Sequence, residues 1–273
     1  MSLPASGAVL GVDIGWSIVR PSSAVCRLDW TAATVAWTIR RFRATDGERG
    51  AAIGALADRP LLAAALDGSL RREFDKIGAY RHAERLLTLG FGSRIGKPGQ
   101  SNTPNGRLLN AQANACAEAI AATGRIAAAL HPQAIHAQAI VEAFPSAWLG
   151  MLIDAPEVIP VRRGDRSDRY YAHLAASGGL RAVVERLLPG RALAGPFTAV
   201  IDHDERAALV CALTALGLAA GDYVAAGDAQ GWIILPPPAL IRPWAGELLA
   251  SNADRCGGGV EWGGARGPVG LAA

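Results

Sequence analysis

A single aspartate interrupts an apolar run near the start of the chain. Residues 8–15 read Ala-Val-Leu-Gly-Val-Asp-Ile-Gly, and Asp13 is the one charge among them. Because an unpaired charge is too costly to bury, this side chain requires water, a cationic partner or a metal ion. Gly11 and Gly15 flank it, and glycines in a strand often mark the close approach of a ligand or another backbone. We predict that residues 9–19 form the first strand of an α/β sheet, which carries Asp13 into a cleft.

The composition is that of a globular protein. Of its 273 residues 51% are hydrophobic, which is enough to bury a large core, and the net charge of +3 is low for a dedicated nucleic-acid-binding domain. The four cysteines form no Cys-x-x-Cys pair, so a zinc site is not expected. The longest apolar stretch, residues 207–220, is too short to span a bilayer, and the start of the chain lacks a secretory pattern. We expect a cytoplasmic protein with no membrane partner.

The residue pattern predicts three strands in an antiparallel meander, followed by helices and further strands. Alternation and turn residues place strands at 9–19, 24–30, 34–42, 60–66 and 139–144, with a hairpin at 223–226 and 231–235. Helices are predicted at 50–57, 80–89, 108–130, 167–176, 180–188 and 205–219. We predict one domain over residues 1–251 with a helical and loop insertion at about 68–135, and a flexible, glycine-rich tail over 252–273.

Acidic residues lie in the interior of the first predicted strand, at the end of another, within a third, and at one helix start. They are Asp13, Asp67, which follows a predicted strand, Glu142, and the run from Asp202 through Asp204 to Glu205. Acids at adjacent strand ends and a nearby helix start can converge on one cleft. Each also has a simpler interpretation, since Asp67 suits a turn, Glu142 could accept from backbone amides, and Asp202 or Asp204 could cap a helix.

Converging carboxylates need a counter-charge. Two of them about 4 Å apart repel by roughly 4 kcal/mol at an effective dielectric near 20. A hard divalent cation relieves that repulsion, and oxygen ligands select Mg²⁺ or Mn²⁺ over Zn²⁺. We therefore take Asp13, Asp67, Glu142 and Asp204 as candidate metal ligands. The candidate catalytic residues are Asp13, Glu142, Asp202 and Asp204, in a site suited to metal-assisted phosphoryl transfer.

Several segments, in this order and spacing, resemble one protein family. They are Gly11-Val12-Asp13-Ile14-Gly15, Leu66-Asp67, Arg81 and Glu84, the Gly96-Lys97-Pro98-Gly99 loop, residues 141–149, Asp202-His203-Asp204 with residues 209–215, and residues 231–236. They resemble the domain-of-unknown-function family numbered four-twenty-nine, which is described as predicted ribonuclease H-like nucleases. The resemblance extends from about Val9 to Pro236.

The resemblance implies a ribonuclease H-like mixed sheet opened by three antiparallel strands, and a divalent-metal-dependent nuclease or related phosphodiester hydrolase. It makes Asp13 the metal ligand of the first strand, Glu142 a later acid, and Asp67 an accessory acid at the rim of the cleft. Where an acid would be expected just inside the last helix, this chain has Ala207. Either Asp204 substitutes from the start of the helix or the catalytic set is incomplete.

Two other functions are compatible with the same residues. A ribonuclease H-like scaffold could bind nucleic acid or another partner without cutting it, through Arg94, Lys97 and Arg107 on the long central loop. An actin-like or sugar-kinase ATPase is suggested by Asp13-Ile14-Gly15, which resembles the first phosphate turn of that superfamily. Trp16 fits that turn poorly, and no second Asp-x-Gly turn follows.

Overall fold

The computed structural model describes residues 3–71, 80–92, 94–96, 98, 103–129, 133, 137–162, 165–256 and 259–263. The strands are Gly7–Asp13 (β1), Ser23–Trp30 (β2), Thr34–Phe42 (β3), Ala64–Asp67 (β4), Ile140–Ala143 (β5), Ala192–Leu193 (β6), Val224–Asp228 (β7), Gly231–Leu235 (β8) and Gly259–Trp262 (β9). The helices are Asp46–Leu56 (α1), His82–Leu86 (α2), Pro104–Ala122 (α3), Pro145–Gly150 (α4), Arg166–Ser177 (α5), Gly179–Leu187 (α6), His203–Ala220 (α7) and Pro243–Cys256 (α8).

The strands form one mixed sheet in the order β6-β3-β2-β1-β4-β5-β8-β7-β9. Strands β1, β2 and β3 are an antiparallel meander, and β1, β4, β5 and β8 run parallel to one another. The predicted α/β class, with a mixed sheet opened by three antiparallel strands and flanked by helices, is therefore confirmed. The short strand β6 and the last strand β9 were not predicted.

The two faces of the sheet are covered by different helices, because side chains alternate along each strand. On one face Val9, Cys26 and Ala65 pack against α7 together with α5 and α6. On the other face Leu10 and Leu66 pack against α1 and α3. Whether a polar side chain lies on one face or the other therefore depends on its place in the alternation along its strand.

Helix α7 lies directly against β1 because Gly11 has no side chain. A Cβ added at Gly11 would lie 2.1 Å from the Ala212 nitrogen and 2.2 Å from the Ala208 carbonyl oxygen. Such distances mean that backbone packs on backbone at this point. The alanines of α7 and the glycine of β1 together set the distance between the helix and the central strand.

Strand β1 is shorter than predicted and ends at Asp13, so this residue lies at the strand end and not in its interior. The reason is the register with β2. Asp13 pairs with Ala24, which is the second residue of β2, so only Ser23 of that strand lies beyond the pair. Beyond Asp13 the Gly15 amide donates to the side-chain hydroxyl of Ser23 at 3.0 Å instead of to a backbone carbonyl of β2. The residues after Asp13 therefore form a loop.

Helix α3 begins earlier and ends earlier than the predicted 108–130. Its N-terminus is fixed by the Thr103 hydroxyl, which accepts from the Gly106 amide at 3.1 Å, and by Pro104 in the first turn. After Ala122 the chain turns at Gly124, whose φ of 64° is left-handed.

The C-terminal segment differs from the flexible tail expected over residues 252–273. Helix α8 continues to Cys256, and β9 pairs with β7 in antiparallel register. The buried Asn252 side chain donates to the carbonyl oxygens of Leu86 and Leu89 at 2.8 and 2.7 Å. These side-chain bonds and the open edge of β7 hold the segment in place. Residues 264–273 lie outside the described residues.

Among the helices that the structure describes, none combines the length and the apolar character needed to cross a membrane. The cytoplasmic location expected above stays a prediction.

We predict that Gly11→Ala destabilises the protein by about 3 kcal/mol, since the added methyl group overlaps the α7 backbone. Urea unfolding measures the change. Gly54→Ala in α1 is the matched control, because nothing lies within 4 Å of a Cβ there. Alanine should stabilise that helix by about 0.5–1 kcal/mol. An equal effect of both substitutions would contradict the backbone packing described here.

Candidate functional site

Asp13 and Asp67 are direct neighbours at one edge of the sheet. They are the last residues of the parallel strands β1 and β4, and they are paired in register. Both share the face covered by α7, because Gly11 and Asp13 have the same parity. Asp67, predicted only as an accessory acid at the rim, thus lies next to the principal candidate.

The electrostatic environment of this pair disfavours two negative charges. Burial raises the pKa of Asp13 well above its usual value, and the nearby Asp67, Asp204 and Asp202 raise it further. Burial also raises the pKa of Asp67, to about 7, although the charge of His203 opposes the shift. No basic side chain in the described part of the chain forms an ion pair with either aspartate. Among the described residues, the buried Asp13 and the partly buried Asp67 thus form an acidic site with no ion-paired cation.

The start of α7 brings two more predicted acids to the same edge. The Asp202 carboxylate caps the helix and accepts from the amides of Asp204 and Glu205 at 3.0 and 3.3 Å. Arg41 of β3 binds both acids, at 2.9 Å to Asp202 and 2.5 Å to Asp204. Asp202 and Asp204 therefore lie near Asp13, as expected, but an arginine already compensates their charge.

Arg41 was not recognised in the sequence, although the strand pattern contains the signal. The meander pairs Asp13 with Ala24 and Ala24 with Arg41, so all three lie in one row across the sheet. Alternation along the predicted strands would have placed Arg41 on the face of Asp13 once the register was known. The register itself depends on the two turns, whose lengths the sequence predicted only approximately.

Glu142 lies on the opposite face of the sheet from Asp13 and Asp67. In the register of β4 and β5 it is paired with Leu66, whose side chain packs against α1 and α3. It is almost completely buried, with 1% of its surface exposed. The structure therefore places Glu142 on the other side of the sheet from Asp13, although Glu142 and Asp67 line one cleft at the sheet edge.

The Glu142 carboxylate is instead held by Arg81, which precedes α2. Arg81 donates from Nη1 at 3.0 Å and from Nη2 at 2.7 Å, and the Leu70 amide donates at 2.8 Å. Arg81 also donates from Nε to Glu84 at 3.1 Å. Burial acts to lower the pKa of Arg81, but the charges and hydrogen bonds of Glu142 and Glu84 outweigh it, and the pKa is raised.

Gly231 provides the space for this buried ion pair. A Cβ at that position would lie 2.3 Å from Nη1 of Arg81 and 3.2 Å from Oε1 of Glu142. The resemblance to a nuclease family included Gly231, Arg81 and Glu142 as separate segments, and the structure joins them in one contact.

A cleft of about 260 Å³ opens at this edge of the sheet. It is lined by the ends of β4 and β5, by Arg81 and Glu84, and by the first turns of α3 with Gly106 and Leu109. The Ser69 hydroxyl in its wall is buried and has no hydrogen-bond partner among the described residues. In the parallel part of an open α/β sheet, ligands bind outside the carboxyl ends of the strands, and both Asp67 and this cleft occupy that position.

The basic residues predicted to bind substrate do not form one surface. Arg94 pairs with Glu157 at 3.4 Å, and its guanidinium lies 4.9 Å from the centre of the Trp244 ring. Arg107 is exposed in the first turn of α3, next to the cleft residue Gly106. Lys97 lies outside the described residues.

His203 has a specific partner, which the sequence did not reveal. Its Nδ1 lies 3.0 Å from Oδ2 of Asp168 on α5, and Arg206 donates to the other oxygen of that carboxylate at 3.3 Å. Asp168 and His203 are 35 residues apart, so only the packing of α5 on α7 could show the contact.

Within the described residues, no group of three or more His, Cys, Asp or Glu side chains is arranged to hold a metal ion. The chain matches no family model, and comparisons with curated proteins and with solved structures found no match. The resemblance to the predicted ribonuclease H-like nucleases therefore stays a prediction.

We predict that Arg81→Leu destabilises the protein by about 3–5 kcal/mol, because it removes the guanidinium whose charge compensates the buried Glu142 and Glu84. Arg169→Leu removes an exposed pair within α5 and should cost at most about 1 kcal/mol. Chemical denaturation of both variants tests the contrast. A small loss for Arg81→Leu would show that water reaches the pair and that the buried contact is wrong.

The raised pKa of Asp67 predicts how stability depends on pH. An acid with a higher pKa in the folded state binds protons more readily when folded, so the stability of the protein falls as pH rises from about 4 to about 7. Asp67→Asn should weaken this decline and should melt at a higher temperature than the wild type at pH 8 in EDTA. Asp154→Asn, at an exposed surface pair, should keep the wild-type slope. An unchanged slope in Asp67→Asn would contradict the assignment.

Proposed function

We propose that the protein is a divalent-metal-dependent phosphodiester hydrolase of the ribonuclease H-like type. The observation that carries this proposal is the pair of Asp13 and Asp67, adjacent in register and without a basic partner in the described part of the chain. The strand order β3-β2-β1-β4-β5, with its antiparallel start, supports it, since this is the arrangement expected from the resemblance.

The residues present fit a magnesium or manganese ion. Mg²⁺ keeps several waters and is commonly held by one or two carboxylates together with substrate phosphates, and does not need a cage of protein ligands. Asp13 and Asp67 supply two carboxylates at one edge, and a cation beside them would favour their ionised forms, which burial disfavours by raising the pKa of each. When bound, such an ion lowers the pKa of a coordinated water and offsets the charge on the phosphate.

The protein's own contribution is to hold these groups in place. Asp13 and Asp67 end two central, hydrogen-bonded strands, so their backbones are fixed before any substrate arrives. Arg41 compensates Asp202 and Asp204, which limits the negative charge that an approaching phosphodiester would meet. The cleft beside Asp67 then offers room for one side of the substrate.

Asp204, at the start of helix α7, takes the place of the acid expected at position 207, where this chain has alanine. Asp204 precedes Ala208 by one helical turn, and Ala208 is the residue that contacts β1 at Gly11. The negative charge of Asp204 raises the pKa of Asp13, although burial and the charge of Asp67 have larger effects. Asp204 is therefore close enough to Asp13 to interact with it electrostatically. We infer that Asp204 is the third acid of the site, and that it becomes a ligand by exchanging Arg41 for the cation.

The experiment measures cleavage of single-stranded, duplex and hybrid oligonucleotides with Mg²⁺ or Mn²⁺, and Mn²⁺ affinity by calorimetry. We expect Asp13→Asn and Asp67→Asn to lower cleavage by about a hundredfold or more and to abolish measurable Mn²⁺ binding. Asp154→Asn should change neither. Because Glu142 lies on the other face, Glu142→Gln should keep the Mn²⁺ affinity.

Three results would contradict parts of this proposal. Unchanged Mn²⁺ affinity in Asp13→Asn would refute the metal site. Nucleic-acid binding without cleavage would favour the non-catalytic scaffold, and ATP turnover in the presence of sugars would favour the kinase-like alternative.

A further inference from the structure

The loop between β1 and β2 presents three apolar side chains to solvent beside the acidic pair. Trp16 is 49% exposed, Ile18 65% and Val19 83%, and all follow Asp13 within six residues. Scattered exposed apolar residues are common, but a cluster next to a polar site marks a binding surface. We call these three residues the apolar loop.

The conformation of the apolar loop is fixed by hydrogen bonds. The Ser17 amide donates to the Ser22 hydroxyl at 3.1 Å, and the Ser17 hydroxyl accepts from the Arg20 amide at 3.1 Å. The Ala44 amide donates to the Ser17 carbonyl at 2.8 Å, which ties the loop to the segment after β3. A Cβ at Gly15 would lie 1.9 Å from the Ser22 carbonyl oxygen, so the base of the loop is closely packed. Trp16 is therefore held outward by a defined backbone.

One arginine on the same loop has no ion-pair partner among the described residues, and two paired arginines lie beside the loop. Arg20 directly follows the apolar residues, is exposed, and has no ion-pair partner in the part of the chain that the structure describes. Arg43 is half-exposed and flanks Ala44, which binds the loop, but Glu48 compensates its charge. Arg41 donates to the Pro21 carbonyl at 2.9 Å. A partner with both flat apolar faces and negative charge is complementary to this surface.

We propose that the apolar loop is a stacking platform for an unpaired nucleic-acid strand, with Trp16 against a base and Arg20 against the sugar-phosphate backbone. Aromatic side chains beside basic residues bind single strands in this way, because the flat faces of the bases are free in a single strand. In a duplex those faces are covered by neighbouring pairs. Three residues extend at most about 11 Å, so Trp16 would contact a nucleotide close to a phosphate at Asp13 and Asp67. The inference rests on the proposed function for the chemical nature of the partner.

The test measures binding without cleavage, by fluorescence anisotropy in EDTA. The probes are a labelled single-stranded oligonucleotide and the same strand annealed to its complement. We expect the wild type to bind the single strand more tightly than the duplex, and Trp16→Ala to weaken single-strand binding about five-fold or more. Trp16→Phe keeps an aromatic face and should retain most of the affinity. Val158→Ala, at another exposed apolar residue, is the matched control and should have no effect.

Four results would overturn the platform. Three concern binding: equal single-strand binding by Trp16→Ala and wild type, equal binding of duplex and single strand, and no measurable binding of the single strand. The fourth is self-association of the wild type that Trp16→Ala abolishes, since the surface would then bind a second copy of the chain. Sedimentation measures self-association, and thermal melting checks that each variant folds. Cleavage without dependence on Trp16 would refute this inference alone, whereas Trp16-dependent binding without metal-dependent cleavage would refute only the proposed function.

Discussion

The contact of α7 with β1 at Gly11 determines the geometry of the rest of the site. Backbone meets backbone there, with Ala208 and Ala212 of the helix against the strand. Because this contact fixes how far α7 lies from the sheet, it also fixes where the acids at the helix start lie relative to the strand ends. Asp13 is two residues beyond Gly11, and Asp204 is one turn before Ala208, so one packing contact brings two distant parts of the chain to one edge.

Much of the fold could be predicted from residue pattern, and the pairing of side chains could not. Strand β3 was predicted over the residues it occupies, since Val35, Trp37 and Ile39 alternate with polar or small neighbours. Strand β1 was predicted too long, because its end depends on where β2 begins. Helix α8 and strand β9 were missed, since glycine-rich composition says nothing of the open edge that β7 offers.

In the site, too, local features could be predicted from the sequence, whereas contacts between distant residues could not. The sequence indicated Asp67 correctly as an acid at a strand end, but it placed Asp13 inside a longer strand, because a charge next to an apolar run is a local signal and the end of the strand is not. It could not show that Glu142 lies on the other face, since a shift of one residue in the register of β5 reverses its side chains. The partners Arg81 and Arg41 are also set by packing across many residues, which no local pattern encodes.

The contrast between the buried acids argues for function at Asp13. Glu84 and Glu142 are as deeply buried as any acid in the described residues, and Arg81 compensates both. The fold therefore supplies a cation where an acid is structural. At Asp13 and Asp67 the described residues supply no ion-paired cation, although Arg41 lies in the same row of the sheet and binds Asp202 and Asp204 instead. An acidic pair without an ion-paired cation lowers stability at neutral pH, and this cost is what the proposed metal ion would offset.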